Sequence, residues 1–237
     1  MCRKKNAFSR PPANQQKLKE KTHMNKNAEY WNKKLPENFS RSTHSIWLDQ
    51  HTKKLANSKL PILDLGCGNG EDTAWLVGQN FNVVSLDFSL SGVSQTRSIN
   101  PNTHIFDMSN LEDWQSLKNN SFAAVVANLS LHYFSDSTTR MIMREIRRVL
   151  APDGVLIARV NSTLDTVFGA GSGTEIEPNF FQNPDRGIEK RFFTLDSAKD
   201  YFSLIGKPKI QEKTITYVGK QKQIIEVVVK KVNPSAK

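Results

Sequence analysis

The sequence predicts a doubly wound α/β fold built on a mostly parallel sheet. Two observations carry that prediction. Between Pro61 and Val160, strand-like and helix-like segments follow one another in regular succession, the order expected of linked β-α-β units. The strands among them are continuous apolar runs, as they must be where helices cover both faces of a parallel sheet.

The elements read as follows along the chain. Residues 1–23 hold seven Lys or Arg against Glu20 alone, include Pro11 and Pro12, and show no apolar periodicity. That is the composition of a disordered basic arm, and Met24 after it is a candidate translation start. Residues 24–58 place Tyr30, Trp31 and Leu35, then Phe39, Ile46, Trp47 and Leu55, at helical spacing, giving candidate N-terminal lid helices capped by Ser40 or Ser42. The core, 59–160, opens with the strand Pro61 to Gly66 and a helix through Ala74, Trp75 and Leu76. It continues with strands at Phe81 to Asp87, Thr103 to Asp107, Phe122 to Ser130 and Gly154 to Val160, and helices at Ser89 to Ser98, Leu111 to Leu117 and Ser135 to Leu150. Residues 161–191 are rich in Gly and Pro and read as a long loop, a flap insertion. Residues 192–237 give a helix from Leu195 to Ile205 and an antiparallel pair of C-terminal strands turning at Gly219.

Composition narrows the function. The net charge is +10, but +6 of it sits in the first 23 residues, leaving +4 for the rest, an ordinary balance for an enzyme rather than a nucleic-acid-binding face. No apolar run reaches the roughly 18 residues of a membrane span, and no secretory signal opens the chain, so a cytoplasmic protein is expected. The two cysteines, Cys2 and Cys67, lie in unlike settings, so a disulfide is not expected. No Cys and His cluster suggests a metal.

The most informative stretch is Asp64, Leu65, Gly66, Cys67, Gly68, Asn69, Gly70, set between an apolar strand and a helix. Glycines at Gly66, Gly68 and Gly70 allow a sharp turn and let a ligand approach the backbone closely, at the strand's carboxyl end where open α/β sheets bind ligands. This turn resembles motif I of the class I S-adenosylmethionine-dependent methyltransferases, of the broad small-molecule branch that includes enzymes of tellurite-resistance type. Further markers recur in order: Asp87 ending the second strand, Asp107 ending the third, Ala127 to Phe134 after the fourth, and Leu150 to Gly154 before the fifth.

The resemblance implies a Rossmann-like fold, S-adenosylmethionine as cofactor, and a set of roles. Asp87, beside Phe88, accepts both ribose hydroxyls, or caps the next helix through Phe88 and Ser89. Asp107 meets the adenine amino group with Met108 alongside, or caps the helix near Ser109. Asp64 meets the methionine ammonium, or holds the glycine turn by accepting backbone N–H groups. Asn128 belongs to the strand beneath the sulfonium. Cys67 is tolerated between the glycines without use of its thiol. Tyr30 and Trp31 close over the cofactor, or simply pack.

Methyl transfer from a sulfonium is an in-line displacement in which the donor is already activated, so positioning dominates and a base is optional. His132 is the candidate base, or a packed histidine. Tyr133 is pocket wall or core. In the insertion, Glu175, Glu177, Asn179 and Arg191 are candidates to reach the acceptor from a flexible flap, or to belong to an ordinary insertion. Asn128 and Ser130 lack the N/D-P-P-Y/F run of amino-directed nucleic-acid methyltransferases, which counts against DNA adenine or cytosine-N4 methylation. The core shows no recognisable RNA- or DNA-binding appendage, which together with the resemblance favours a small-molecule acceptor. An RNA methyltransferase using the basic arm, and a cofactor-binding protein without transfer, are the alternatives. A nicotinamide enzyme is disfavoured because its fingerprint needs G-x-G-x-x-G, whereas the glycines here are evenly spaced.

Overall fold

The computed structural model describes residues 26–34, 45–55 and 59–232. The basic arm, the Met24 start and the Ser40 or Ser42 caps lie outside them. A seven-stranded sheet runs in the order β3-β2-β1-β4-β5-β10-β9, with β1 Ile62–Leu65, β2 Val83–Asp87, β3 Thr103–Ile105, β4 Phe122–Asn128, β5 Leu150–Asn161, β9 Pro208–Tyr217 and β10 Lys220–Lys230. The first five are mutually parallel, and β10 runs antiparallel to both β5 and β9. The chain order reverses beside β1, between β2 and β4, and such a switch point opens a crevice at the carboxyl ends of the strands.

Helices cover both faces. On one lie the 3₁₀ segment Ser45–His51, α2 Thr52–Leu55 and α3 Glu71–Gly78, whose Trp47, Leu48, Leu55 and Leu76 pack on Ile62, Val83, Val126 and Ile157. On the other, α6 Asp136–Val149 buries Ile142, Met143, Ile146 and Val149, and α7 Leu195–Ser203 adds Tyr201 and Phe202. Burying each such side chain is worth about 1.5–3 kcal/mol, and this apolar stripe is what sets α6 on the sheet. Serine and threonine start the helices where the sequence puts them: Ser89 accepts from the amide of Gly92 ahead of α4 Leu90–Arg97, and Thr194 forms a capping box with Ser197.

A polar knot fastens the N-terminal segment to the C-terminal strands. Glu226 of β10 accepts from Lys213 Nζ at 2.6 Å and pairs with Arg159 at 3.1 Å and His51 at 3.4 Å. Burial works to raise its pKa, but hydrogen bonds from His51 and Lys213 and the charge of Arg159 overcome this and hold it at about 2. Arg159 lies over the Trp47 ring, 4.3 Å from its centre.

The insertion departs from expectation. Residues 161–191 are not a long loop but contain a three-stranded antiparallel sheet, β6 Thr174–Glu177, β7 Phe180–Gln182 and β8 Glu189–Arg191, preceded by a 3₁₀ turn at Thr166–Phe168. Its glycines gave the loop reading, yet Gly169, Gly171, Gly173 and Gly187 serve left-handed turns between short strands.

Candidate active site

At the carboxyl edge the chain leaves β1 through Gly66, Gly68 and Gly70, with φ of +78°, +51° and +86°. A Cβ on Gly66 would collide with Ser130, whose hydroxyl donates to the Leu65 carbonyl at 2.7 Å. Ser130 comes this close because Leu129, just past β4, adopts φ +55°, a conformation costly for a bulky residue and typical of sites where the surroundings enforce it.

Asp87 ends β2 buried. One carboxylate oxygen accepts from the Gly68 amide at 2.8 Å, the other from the Ser89 amide at 2.7 Å. It therefore ties the glycine turn to β2 and holds Ser89, the cap of α4, in place, and each oxygen keeps a lone pair for a further donor. Burial lifts its pKa to about 6 against these two hydrogen bonds. Phe88 follows it, part-buried.

Asp64 does something else. Its carboxylate accepts from the Thr73 hydroxyl at 2.5 Å, and Thr73 in turn meets Ser85 Oγ at 2.8 Å. The residue locks β1 to α3 and β2, rather than holding the glycine-turn amides as one reading had it. Burial and then the charge of Asp72 raise its pKa well above the carboxylate range. Cys67 is buried, and burial followed by Asp87 and Asp64 pushes its thiol well up, so it is inert as a nucleophile. Asp107 lies beyond the end of β3, not at it. It accepts from the amide and hydroxyl of Ser109 at 2.8 and 2.7 Å, a turn ahead of the helix Leu111–Gln115 and not its cap, which is Asn110, while Met108 is buried and its carbonyl accepts from Trp114.

The lid helix α1, Lys26–Lys34, bridges the crevice. Asn32 accepts from Ser89 Oγ beyond β2, Asn27 donates to the Tyr133 carbonyl beyond β4, and Asn27 also accepts from the Glu189 amide of β8. Trp31 stacks edge-on against both Tyr30 and Tyr133, at 5.2 and 5.9 Å between ring centres. The phenol of Tyr133 is pushed well above its usual pKa by burial, then by Tyr217, Tyr30 and Asp87, while a hydrogen bond from Trp31 opposes the shift. Tyr217 thus comes from the β9–β10 hairpin to the same place as the lid.

Further polar groups lie beyond β4 and β5. His132 is buried with its Nδ1 lacking a hydrogen-bond partner. Burial, then Lys222 and Lys190, drives its pKa well below the usual value, so it is neutral at pH 7 and a weak base. Asn128 keeps a buried Oδ1 without partner, and Asn161, at the end of β5, keeps both amide atoms so. Lys222 pairs with Asp165 at 2.6 Å, both buried, and lies over the rings of Phe168 and Tyr217 at 4.4 and 5.6 Å.

The four insertion candidates make their contacts within the small sheet and at the start of α6. Glu175 accepts from the Asn179 amide. Arg191 is buried, ion-paired with Glu177, donates to the carbonyls of Phe134 and Pro178, and sits over Phe180. Glu177 also accepts from the Asp136 amide at the start of α6, where a carboxylate is favoured. With all three of its guanidinium nitrogens bonded inside the protein, Arg191 is a fastener.

Sequence reasoning missed Asn161, Asp165, Lys190, Tyr217 and Lys222 as site residues. A signal was present in β10, where Lys222 and Glu226 share a parity with Ile224 and Val228. Charges on the buried face of an apolar strand imply partners.

The fold edge suits S-adenosylmethionine: an unobstructed glycine turn, a carboxylate with free lone pairs beside it, and an orphan acceptor on Asn128. Among the described residues no three-carboxylate, His or Cys group fits a metal ion, and no helix is long and apolar enough to cross a membrane. Comparison agrees with this geometry. Residues 62–154 match a family described as a methyltransferase domain. An uncharacterized methyltransferase of Schizosaccharomyces pombe is 25% identical over 206 residues, 79% of this chain and 78% of that one. A structure of an S-adenosylmethionine-dependent methyltransferase from Anabaena variabilis superposes with a TM-score of 0.65 at 19% identity, covering 97% and 100% of the two chains. A methyltransferase from Burkholderia thailandensis, with 1,6-didemethyltoxoflavin and S-adenosylhomocysteine bound, gives 0.59 at 15% identity over 87% and 89%. These likenesses carry no support for the tellurite-resistance branch in particular. Residues 62–154, which hold the glycine turn and Asp87, are thus similar to a methyltransferase domain, and the fold around them is that of S-adenosylmethionine-dependent methyltransferases.

Proposed function

We propose that the chain is a cytoplasmic enzyme that methylates a small organic molecule rather than a nucleic acid. The observation that carries this reading is the cover over the carboxyl edge. The lid helix α1, the small sheet β6-β7-β8 and the hairpin tip at Tyr217 meet there, beside a cavity of about 360 Å³, within the size of small-ligand pockets. The Burkholderia neighbour carries a small bicyclic acceptor in the same fold. A stretch of 56 residues is 43% identical to a ubiquinone biosynthesis O-methyltransferase of Rickettsia conorii, 23% of this chain and 19% of that one.

Bound S-adenosylmethionine supplies an activated methyl group on a positively charged sulfur. Asp87 holds the ribose hydroxyls, since charge-assisted hydrogen bonds outrank neutral ones. The turn from Gly66 to Gly70 lets the cofactor lie against backbone, Asn128 accepts from it, Asp107 and Met108 flank the adenine, and Tyr30 and Trp31 shut out water. Asp64, through Thr73, fixes α3 and β2 against the strand that leads into the turn. His132, neutral and buried, lines the acceptor side with Tyr133. Being a weak base, it serves an acceptor that arrives already nucleophilic better than one that must first lose a proton.

The test is transfer of labelled methyl from S-adenosylmethionine into a cell extract that has been split by size. Label in the low-mass fraction supports the proposal. Label confined to RNA, and lost after nuclease treatment, would replace it with the nucleic-acid reading.

A further inference from the structure

We infer that the cavity lined by Lys190 and three phenylalanines is an acceptor subsite for an aromatic carboxylate, and that Lys190 of β8 is the residue that selects it. This rests on the small-molecule reading above. The cavity lies between the 3₁₀ turn Thr166–Phe168 and the small sheet, and its apolar wall is made by Phe168, Phe181, Phe192 and Ile188. Phe181 and Phe192 meet edge-on at 6.1 Å, a shape that takes a flat ring. Its polar wall carries Lys190, Arg186 and Lys220, and no carboxylate side chain lines it.

Charge makes the site specific. The neighbouring pair Lys222 and Asp165 neutralises itself, and Glu177 is taken by Arg191. Lys190 is left part-buried with no carboxylate of the described residues in ion-pair reach, on the strand whose next amide, that of Arg191, donates to the His132 carbonyl at 2.7 Å. Withdrawing an ammonium from water without a counter-charge is costly. Burial, then Lys222 and Arg186, brings its pKa down to about 8, with Asp165 opposing. A ligand carboxylate would supply the missing anion, and the three phenylalanines would hold the ring that bears it. Arg186 and Lys220, both exposed, draw an anion in from the rim.

The experiment titrates benzoate, and separately benzamide, into the full-length protein loaded with S-adenosylhomocysteine, followed by ligand-observed NMR. Benzoate is expected to bind at least about tenfold more tightly than benzamide. In Lys190→Met that preference disappears while benzamide is unchanged, and in Lys190→Arg it is kept. Benzoate affinity in the parent protein falls as pH rises through about 8, where the Lys190 ammonium loses its proton, but stays level in Lys190→Arg. Equal affinity for the two probes, no benzoate binding up to about 10 mM, or a preference that survives Lys190→Met would each overturn the inference. Calorimetry with S-adenosylhomocysteine on the same samples separates the two levels of the account. If the cofactor binds and benzoate does not, the subsite is wrong and the methyltransferase stands.

Discussion

The two ends of the sheet's carboxyl edge bury charge in opposite ways. At β1 and β2, Asp87 is buried against two backbone amides with no cation of the described residues in ion-pair reach. At β5, β8 and β10, buried charges come mostly in pairs, Lys222 with Asp165 and Arg191 with Glu177, and the exception is a cation, Lys190. The first end is built for neutral donors such as hydroxyls, whereas the second is scaffolding around Lys190, which no carboxylate of the described residues pairs. A site's chemistry is read best from the charge its own protein leaves uncompensated.

That contrast can be broken most sharply on the paired side. Lys222→Ala strands the Asp165 carboxylate in the interior, and removing one partner of a buried pair costs about 3–5 kcal/mol. Thermal unfolding should fall by about 6–20 °C for a chain of this size. Removing both charges, as in Lys222→Met with Asp165→Leu, should recover much of that loss. A single variant within about 1 kcal/mol of the parent would mean the pair is not buried as described.

On the unpaired side the lever is pH. The Asp87 pKa is raised to about 6, so without cofactor the benefit of a protonated carboxyl is complete below the ordinary value of about 3.9 and is lost as pH rises through 6. Cofactor hydroxyls need the ionised form, which reverses the dependence for binding. Affinity for S-adenosylhomocysteine should be level above pH 7 and fall by about tenfold per pH unit below 6, and Asp87→Asn should be weak and flat. A level profile down to pH 5 would show the carboxyl is not at the cofactor.

The smallest effect sharpens the view of the hairpin that brings Tyr217 over the crevice. Val218 and Gly219 form its two-residue turn with φ of +48° and +71°, which suits Asn-Gly and strains a β-branched residue. Val218→Asn should stabilise the fold by about 1 kcal/mol, read as a rise of about 2–4 °C in Tm.

How much of this was legible in the sequence follows the same division. The order of strands and helices, the glycine turn and Asp87 are local: each is a few residues whose spacing dictates its own geometry. The start of the helix at Ser89 was visible for the same reason. Other parts were not, because they depend on pairings far apart in the chain. Lys222 meets Asp165 across 57 residues and Asn27 meets Tyr133 across 106, distances over which no periodicity speaks. Glycines misled in 161–191, since left-handed turns inside a small sheet and a slack loop ask for the same residue. Asp64 showed where a carboxylate sits but not that Thr73 would engage it.

The central claim is that the cofactor's ribose is held by Asp87 beside the Gly66 to Gly70 turn, and calorimetric titration of S-adenosylhomocysteine into the parent protein and Asp87→Ala tests it most directly. Losing two charge-assisted hydrogen bonds should weaken binding by about 2–4 kcal/mol, or about 30-fold to 1,000-fold, in a variant that still unfolds cooperatively. Binding by the folded variant within about threefold of the parent, or no binding by the parent at all, would contradict it.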